Sequence, residues 1–397
     1  MNSNYVFIGD NIKVLNSTNF TAVVDAVDTI YIDPPYNTKN KFAYADKQKR
    51  ESWVAFMRER LDISRSILKD TGVIFISIDD NEYSYLKNLC DDVFGEKNFL
   101  GTFITKQSQR SNAKHINIIH EYILAYAKNK QKAADFKIKR IHIPEERRMI
   151  MTIVNQVKTC FRNNGEAEAK ALLQKLIKKY CDLYDITWLR NYSNIDELGD
   201  VYFSKDLSIP GAPRAVDIPE IGLKLDPLPT RGWATDKKFK ALYQANKLVY
   251  KGDRPYEKHL LVDSEDNVHS LLDFYSRQGT NDLNKLGLRD LFDTPKPVEL
   301  VKYLIRISTP EDGVVLDYFA GSGTTGQAVC ESNVEDNAHR TYILVQLPEV
   351  INVSSKSYTA CVNAGIEPVI SNVLIHRLKT YLQQQGLDQN FIVEEIQ

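Results

Sequence analysis

Asp33-Pro34-Pro35-Tyr36 sets a carboxylate, two ring-locked residues and an aromatic ring in four consecutive positions, directly after the strand-like run Asp28-Thr29-Ile30-Tyr31-Ile32. Each proline fixes its own φ, and Pro35 pushes Pro34 into an extended conformation. The tetrapeptide is therefore stiff, and the Pro34 carbonyl is left free to accept. An exocyclic amine on a heterocycle carries two N–H donors, for which an Asp33 oxygen and the Pro34 carbonyl form a matched pair of acceptors. Tyr36 offers a stacking surface. Drawing both hydrogens toward fixed acceptors favours a pyramidal nitrogen that attacks an electrophilic methyl, so the chemistry is methyl transfer to an amino nitrogen without a strong base. A Pro-Pro turn capped by Asp is also a common loop, and the buried run before it is what favours the chemical reading.

A second constellation follows Val314-Val315-Leu316: Asp317-Tyr318-Phe319-Ala320-Gly321-Ser322-Gly323-Thr324-Thr325. Gly321 and Gly323 allow a tight turn and close approach of backbone to ligand. Thr324 and Thr325 place hydroxyls and N–H groups at an expected helix N-terminus, which suits a carboxylate. The loop lacks the Gly-Lys-Ser/Thr of a P-loop and the full spacing of a dinucleotide fingerprint, so it reads as a cofactor loop of another kind.

The elements that must position these groups alternate between strands and helices. Residues 1–127 contain Tyr5-Val6-Phe7-Ile8 before Gly9-Asp10, the strand into Asp33, and a helix over Arg50 to Lys69 stopped by Thr71-Gly72. The continuous apolar run Gly72 to Ile78 reads as a buried parallel strand. Asn98 to Ile104 and His120 to Ala127 read as a further, antiparallel pair, and the polar segment Lys106 to Asn112 between them is a loop near the catalytic edge. Residues 128–290 break the pattern with basic helical material followed by hairpin-like pieces, and so read as an inserted domain. Within it, Arg231, Trp233, Arg254 and Tyr256 are candidate ligand-facing side chains, Trp233 being better suited to a local core. From Asp293 onward the alternation returns, through a helix over Val298 to Ser308 and the strand Tyr342 to Val345. The fold class is α/β, a doubly wound sheet. Ligands of such sheets sit beyond the carboxyl ends of strands where the strand order reverses. The two constellations share one crevice if their strands are neighbours there, although 284 residues separate Asp33 from Asp317.

With 397 residues and 43% apolar content the chain can bury two sizeable cores. Its five cysteines (Cys90, Cys160, Cys181, Cys330, Cys361) are too far apart for a CxxC metal site, and their odd number argues against a disulfide framework. No metal ligand set is expected. No segment has the length of a membrane span or the layout of a leader, so a cytoplasmic protein is expected. The net charge of −1 gives no hint of a polyanionic partner, but Lys128 to Lys179 holds 14 Lys or Arg against 5 Asp or Glu. That local excess fits a phosphate backbone, although lysine-rich helices are also ordinary solvated faces.

These residues and their order resemble the β-group of amino-methyltransferases acting on DNA: a circularly permuted, Rossmann-like S-adenosylmethionine-dependent methyltransferase fold with an inserted target-recognition domain. Ser204 to Gly211, Arg231-Gly232-Trp233, Gly252 to Lys258, Thr294-Pro295-Lys296-Pro297 and Tyr342 to Glu349 are similar to the modification subunits of type III restriction systems. The resemblance covers most of the chain, which is shorter than typical members. It implies a catalytic half over 1–127, DNA recognition over 128–290, and a cofactor-binding half with a C-terminal helix over 291–397. It implies that Asp33, Pro34, Pro35 and Tyr36 hold a flipped-out adenine and that Tyr122 stacks on its other face. Phe319, Gly321, Gly323 and Thr325 would surround S-adenosylmethionine, with Asp317 near its amine, Asp10 at the opposite side and Lys296 beside its carboxylate. The acidic residue expected after Val345 for the ribose hydroxyls is replaced by Gln346, and Glu349 is the substitute. The implied partners are double-stranded DNA and a restriction subunit, in a homodimer. Asp33, where cytosine-N4 enzymes more usually have serine, favours adenine N6. Cytosine-N4 methylation and a sequence-reading subunit that chiefly recruits a helicase-nuclease are the alternatives.

Overall fold

The computed structural model describes residues 3–21, 27–38, 49–107, 114–387 and 390–396; of the polar loop expected at the catalytic edge, Ser108 to Asn112 lie outside them. The chain divides into two compact units, residues 1–136 with 268–397, and residues 137–267.

The first unit is built on nine strands: β1 (Asn4–Ile8), β2 (Val27–Ile32), β3 (Leu68–Ile78), β4 (Phe99–Lys106), β5 (His120–Ala127), β6 (Leu271–Tyr275), β7 (Val314–Asp317), β8 (Thr341–Gln346) and β9 (Phe391–Glu395). Their order across the sheet is β6-β4-β5-β3-β2-β7-β8-β1-β9. Only β5 runs against its neighbours. All six residues of β2 and all four of β7 are buried, as expected for parallel strands covered on both faces. β2 and β7 are paired, Thr29 with Val315 and Ile30 with Leu316. From this pair, β3 continues the sheet to one side and β8 to the other. The strand order reverses here, and the crevice for a ligand opens beyond these strand ends.

The helices used below are α1 (Asn11–Leu15), α2 (Arg50–Ile67), α3 (Tyr83–Phe94), α4 (Arg277–Lys285), α5 (Val298–Ser308), α6 (Thr324–Asp336) and α7 (Ile370–Gln385). α2 buries Trp53, Met57 and Leu61 at four-residue spacing, which places them on one face. It stops at Ile67, earlier than the Thr71-Gly72 signal suggests, because Leu68 already adopts extended backbone and opens β3. Gly72 lies inside that strand, where a Cβ would meet the carbonyl oxygens of Lys69 and Asp28 at 3.0 and 3.1 Å. The glycine serves close strand contact, not termination. Buried Lys302 of α5 reaches Glu299, Glu331 and Glu335 at 2.7, 3.2 and 2.6 Å, tying α5 to α6.

Residues 128–136 and 268–290, expected within the insertion, cluster with the first unit. β6 joins the sheet edge in parallel with β4, and α4 follows it. A five-residue strand of alternating burial looks in sequence like the hairpin pieces before it; only the long-range pairing separates them.

In the second unit, helices Pro144–Asn164 and Glu166–Tyr184 are joined at Gly165, whose φ is +87°. Met149, Ile150, Ile153 and Val157 from the first and Ala169, Leu173, Leu176 and Ile177 from the second share one core, while Arg148, Arg162, Lys170, Lys175, Lys178 and Lys179 are exposed. Strands Leu248–Lys251, Arg254–Leu260, Val201–Asp206 and Asn194–Ile195 form an antiparallel sheet in that order. Trp233 is buried and donates Nε1–H to the Asp226 carbonyl at 2.8 Å, a local core anchor.

Candidate active site

Asp33 follows β2, and the turn after it is held from below. Trp53 of α2 donates Nε1–H to the Pro35 carbonyl at 2.7 Å, so the helix that covers the sheet also fixes the Pro-Pro turn. Tyr36 Oη donates to Asp33 Oδ1 at 2.7 Å. Lys296 Nζ stands 3.2 Å from the same oxygen, 2.7 Å from Tyr36 Oη and 2.8 Å from Glu121 Oε2. With Oδ1 so engaged, Asp33 Oδ2 and the Pro34 carbonyl have no donor among the described residues, leaving two acceptors adjacent in the chain. Burial raises the Asp33 carboxyl above its usual range and the Lys296 ammonium opposes that rise, with Glu121 adding to it. Burial, then the carboxylates of Asp33 and Glu121, push the Tyr36 phenol well up, so it stays protonated as a donor.

Across the switch point, Asp317 ends β7 and organises the glycine loop. Its Oδ1 accepts from Phe319 N–H at 3.0 Å and its Oδ2 from Thr325 Oγ1 at 2.5 Å. Gly321 has φ +53°, a left-handed conformation that favours glycine, and donates its N–H to Gln346 Oε1 at 2.7 Å. Burial pushes the Asp317 carboxyl up to about 7, against the opposing bonds from Thr325 and Phe319. No cation pairs with it among the described residues.

A cavity of about 290 Å³ lies between the two constellations, lined among others by Asp10, Asp33, Pro35, Lys296, Asp317, Phe319, Gly321, Thr325, Gln346 and Glu349. A second, of about 840 Å³, is lined by Asp33, Pro34, Tyr36, His120, Glu121 and Lys296 together with residues of α4. Asp33 and Lys296 line both, so the carboxylate stands at the junction of a deep chamber and a wider basin. Asp10 caps α1, accepting from Ile12 and Lys13 N–H at 3.0 and 3.3 Å.

The expected residues converge with four differences. Tyr122 lines neither cavity: its ring packs 4.4 Å from that of Tyr83 and its hydroxyl donates to Asp80 at 2.9 Å, while Glu121 before it faces the basin. Gly323 faces away from the chamber, where a Cβ would meet the Leu374 side chain at 3.1 Å. Lys296 is neutralised by Asp33 and Glu121 and is not a free cation for a ligand carboxylate. Gln346 has taken the loop amide of Gly321 as its partner. The sequence carried no signal for Phe56, Arg60, Asn11 and Phe292, which also line the chamber. Arg60 lies 3.4 Å over the Phe56 ring and donates to Asn11 Oδ1 at 2.8 Å.

A mostly parallel, switch-point α/β sheet with an amine-acceptor turn and a glycine loop on neighbouring strand ends defines a Rossmann-like protein of the methyltransferase class. The family model of N6/N4 DNA methylases matches residues 27–351, and the chain belongs to that family. It is similar to the EcoPI Mod subunit of a type III restriction-modification enzyme from Escherichia phage P1, with 30% identity over 407 residues covering 90% of this chain and 59% of that one. Type II methyltransferase M.KpnI from Klebsiella pneumoniae is 30% identical over 399 residues, covering 95% and 87% respectively. The EcoP15I Mod subunit from Escherichia coli is 30% identical over 404 residues, covering 88% and 59%. The chain thus spans under two thirds of either Mod subunit and most of M.KpnI. Among the described residues, no helix is long and apolar enough to cross a membrane.

Proposed function

We propose that this chain transfers a methyl group from S-adenosylmethionine to N6 of adenine in double-stranded DNA, within a restriction-modification system. The observation that carries the reading is the pairing of β2 with β7, which sets Asp33 and the glycine loop on one crevice although they lie far apart in the chain. S-adenosylmethionine, when bound, supplies a methyl group made electrophilic by its sulfonium. The chamber fits such a ligand. The desolvated Asp317 carboxylate lacks a cation that an ammonium group provides, Phe319 and Phe56 offer apolar surface, and Asp10 and Glu349 are carboxylates suited to hydroxyls. Asp33 Oδ2 and the Pro34 carbonyl accept the two amine hydrogens, Tyr36 lies along the basin that takes the base, and Lys296 opposes the rise that burial gives the Asp33 carboxyl.

A base inside a duplex cannot reach this crevice, so the target swings out at a cost of a few kcal/mol. The second unit, with its exposed lysines and arginines, supplies the backbone contacts that offset this cost. The Mod subunits of type III enzymes among the relatives favour a restriction subunit as partner, and a homodimer acting in the cytoplasm completes the reading. The test is transfer of tritiated methyl to DNA followed by digestion to nucleosides. Label in N6-methyl-2′-deoxyadenosine supports the assignment; label confined to N4-methyl-2′-deoxycytidine replaces it, and no label on any base ends it.

A further inference from the structure

Arg377, on α7, is completely buried directly behind the glycine loop. Its Nη1 donates to Ser322 Oγ and Thr324 Oγ1, both at 2.8 Å, and its Nε donates to Gln327 Oε1 at 2.9 Å. Nη2 is buried without a partner, and no carboxylate lies within ion-pair distance of the guanidinium among the described residues. A buried arginine charge is normally paired, because desolvating it unpaired costs several kcal/mol. Here burial lowers the guanidinium pKa to about 10, opposed at longer range by the carboxylates of Asp282 and Glu331, which leaves it far enough above neutrality for the charge to persist beside a ligand chamber.

The two hydroxyls convert this buried charge into recognition. A hydroxyl has one donor and two acceptor sites, and an arginine that occupies the acceptor side leaves the O–H to donate elsewhere. Ser322 and Thr324 are 2% and 6% exposed, both line the chamber, and neither hydroxyl has an acceptor among the described residues. The Thr325 hydroxyl, by contrast, already donates its hydrogen bond to Asp317. Thr324 is also the first residue of the thirteen-residue α6, whose first N–H groups carry the positive end of the helix dipole. Of the cations that line the chamber, Lys296 is spent on Asp33 and Glu121, and Arg60 lies over the Phe56 ring and donates to Asn11 Oδ1.

We infer that Arg377 is the positioning residue of a carboxylate subsite, formed by Ser322, Thr324 and the start of α6, that takes the amino-acid end of the cofactor. The inference rests on the cofactor reading given above. Arg377 touches no ligand itself; it orients two donors and charges the wall behind them.

The test is calorimetric binding of two neutral-sulfur ligands to the full chain: S-adenosylhomocysteine, which carries the carboxylate, and 5′-methylthioadenosine, which lacks the amino-acid end. Arg377→Gln should weaken S-adenosylhomocysteine at least tenfold, roughly the worth of one charge-assisted hydrogen bond, and leave methylthioadenosine within about twofold. An equal loss of both ligands, or of neither, overturns the inference. Ser322→Ala, which removes one outward donor and keeps the arginine, should weaken S-adenosylhomocysteine about fivefold with methylthioadenosine unchanged, and provides the same decision if the Arg377 variant fails to fold. Failure of the unsubstituted protein to bind either ligand would sink the cofactor reading itself, an outcome distinct from tight but carboxylate-blind binding, which sinks only the subsite.

Discussion

Lys296 Nζ lies 3.2 Å from Asp33 Oδ1 across 263 residues of sequence, and Glu121 Oε2 lies 2.8 Å from the same nitrogen. The ammonium is the group that opposes protonation of a carboxylate whose burial favours it. Because both residues line the same two cavities, this pairing sits where cofactor and base would meet in the proposed reaction.

Asp33→Asn should leave cofactor affinity unchanged while lowering kcat on the order of 10²–10³-fold, the usual effect of removing one preorganised charge-stabilising contact. Calorimetry with S-adenosylhomocysteine beside steady-state methylation separates the two. Turnover at the normal rate would exclude Asp33 as the amine acceptor.

The acidic limb of the pH–kcat profile should respond to Asp33's neighbours in opposite senses. Transfer needs Asp33 ionised, and its carboxyl is already raised by burial, lowered by Lys296 and raised by Glu121. Lys296→Met removes the opposing cation and should move the limb to higher pH. Glu121→Gln removes a like charge and should move it lower. Shifts in the same direction would contradict the network.

Asp317 makes cofactor binding depend on pH. Its carboxyl is raised to about 7, so below that pH the free protein holds a proton that an incoming ammonium must displace. Affinity for S-adenosylhomocysteine should rise with pH up to about 7, by up to about tenfold per unit, and level off above. For folding the sign is the reverse. Between the ordinary carboxyl range and 7 the folded state binds the extra proton, so this group's contribution to stability of the ligand-free protein falls as pH rises to 7 and is constant beyond it. Asp317→Asn should flatten both curves, as followed by titration calorimetry and thermal melts across pH 5–9.

Gly279 of α4 supports Lys296 from behind. A Cβ there would stand 1.9 Å from the Pro295 carbonyl oxygen, an overlap that cannot be accommodated without moving the Thr294 to Pro297 segment. Gly279→Ala should destabilise the protein by about 1–3 kcal/mol, the range for forced overpacking, and lower kcat by displacing Lys296 from Asp33. A melt and a turnover number indistinguishable from those of the unsubstituted protein would contradict this.

Much of the first unit was legible in the amino-acid sequence because it is encoded locally. The apolar run before Asp33, the helix over Val298 to Ser308 and the strand into Asp317 are patterns of periodicity and turn chemistry contained within a few residues, and they appear as read. The order of the two constellations was likewise a property of the chain alone. Tertiary structure decided the partnerships. Which face Tyr122 takes depends on strand register, and the place of residues 271–275 depends on an edge pairing with β4. Lys296 spends its charge on Asp33 and Glu121 because sheet order brings three distant segments together. Arg377 sits in an unremarkable helical stretch, and its role exists only once α7 packs behind the glycine loop. Periodicity and turn propensity act over a few residues, whereas Coulomb and hydrogen-bond partners are chosen by proximity in space, which the chain acquires only on folding.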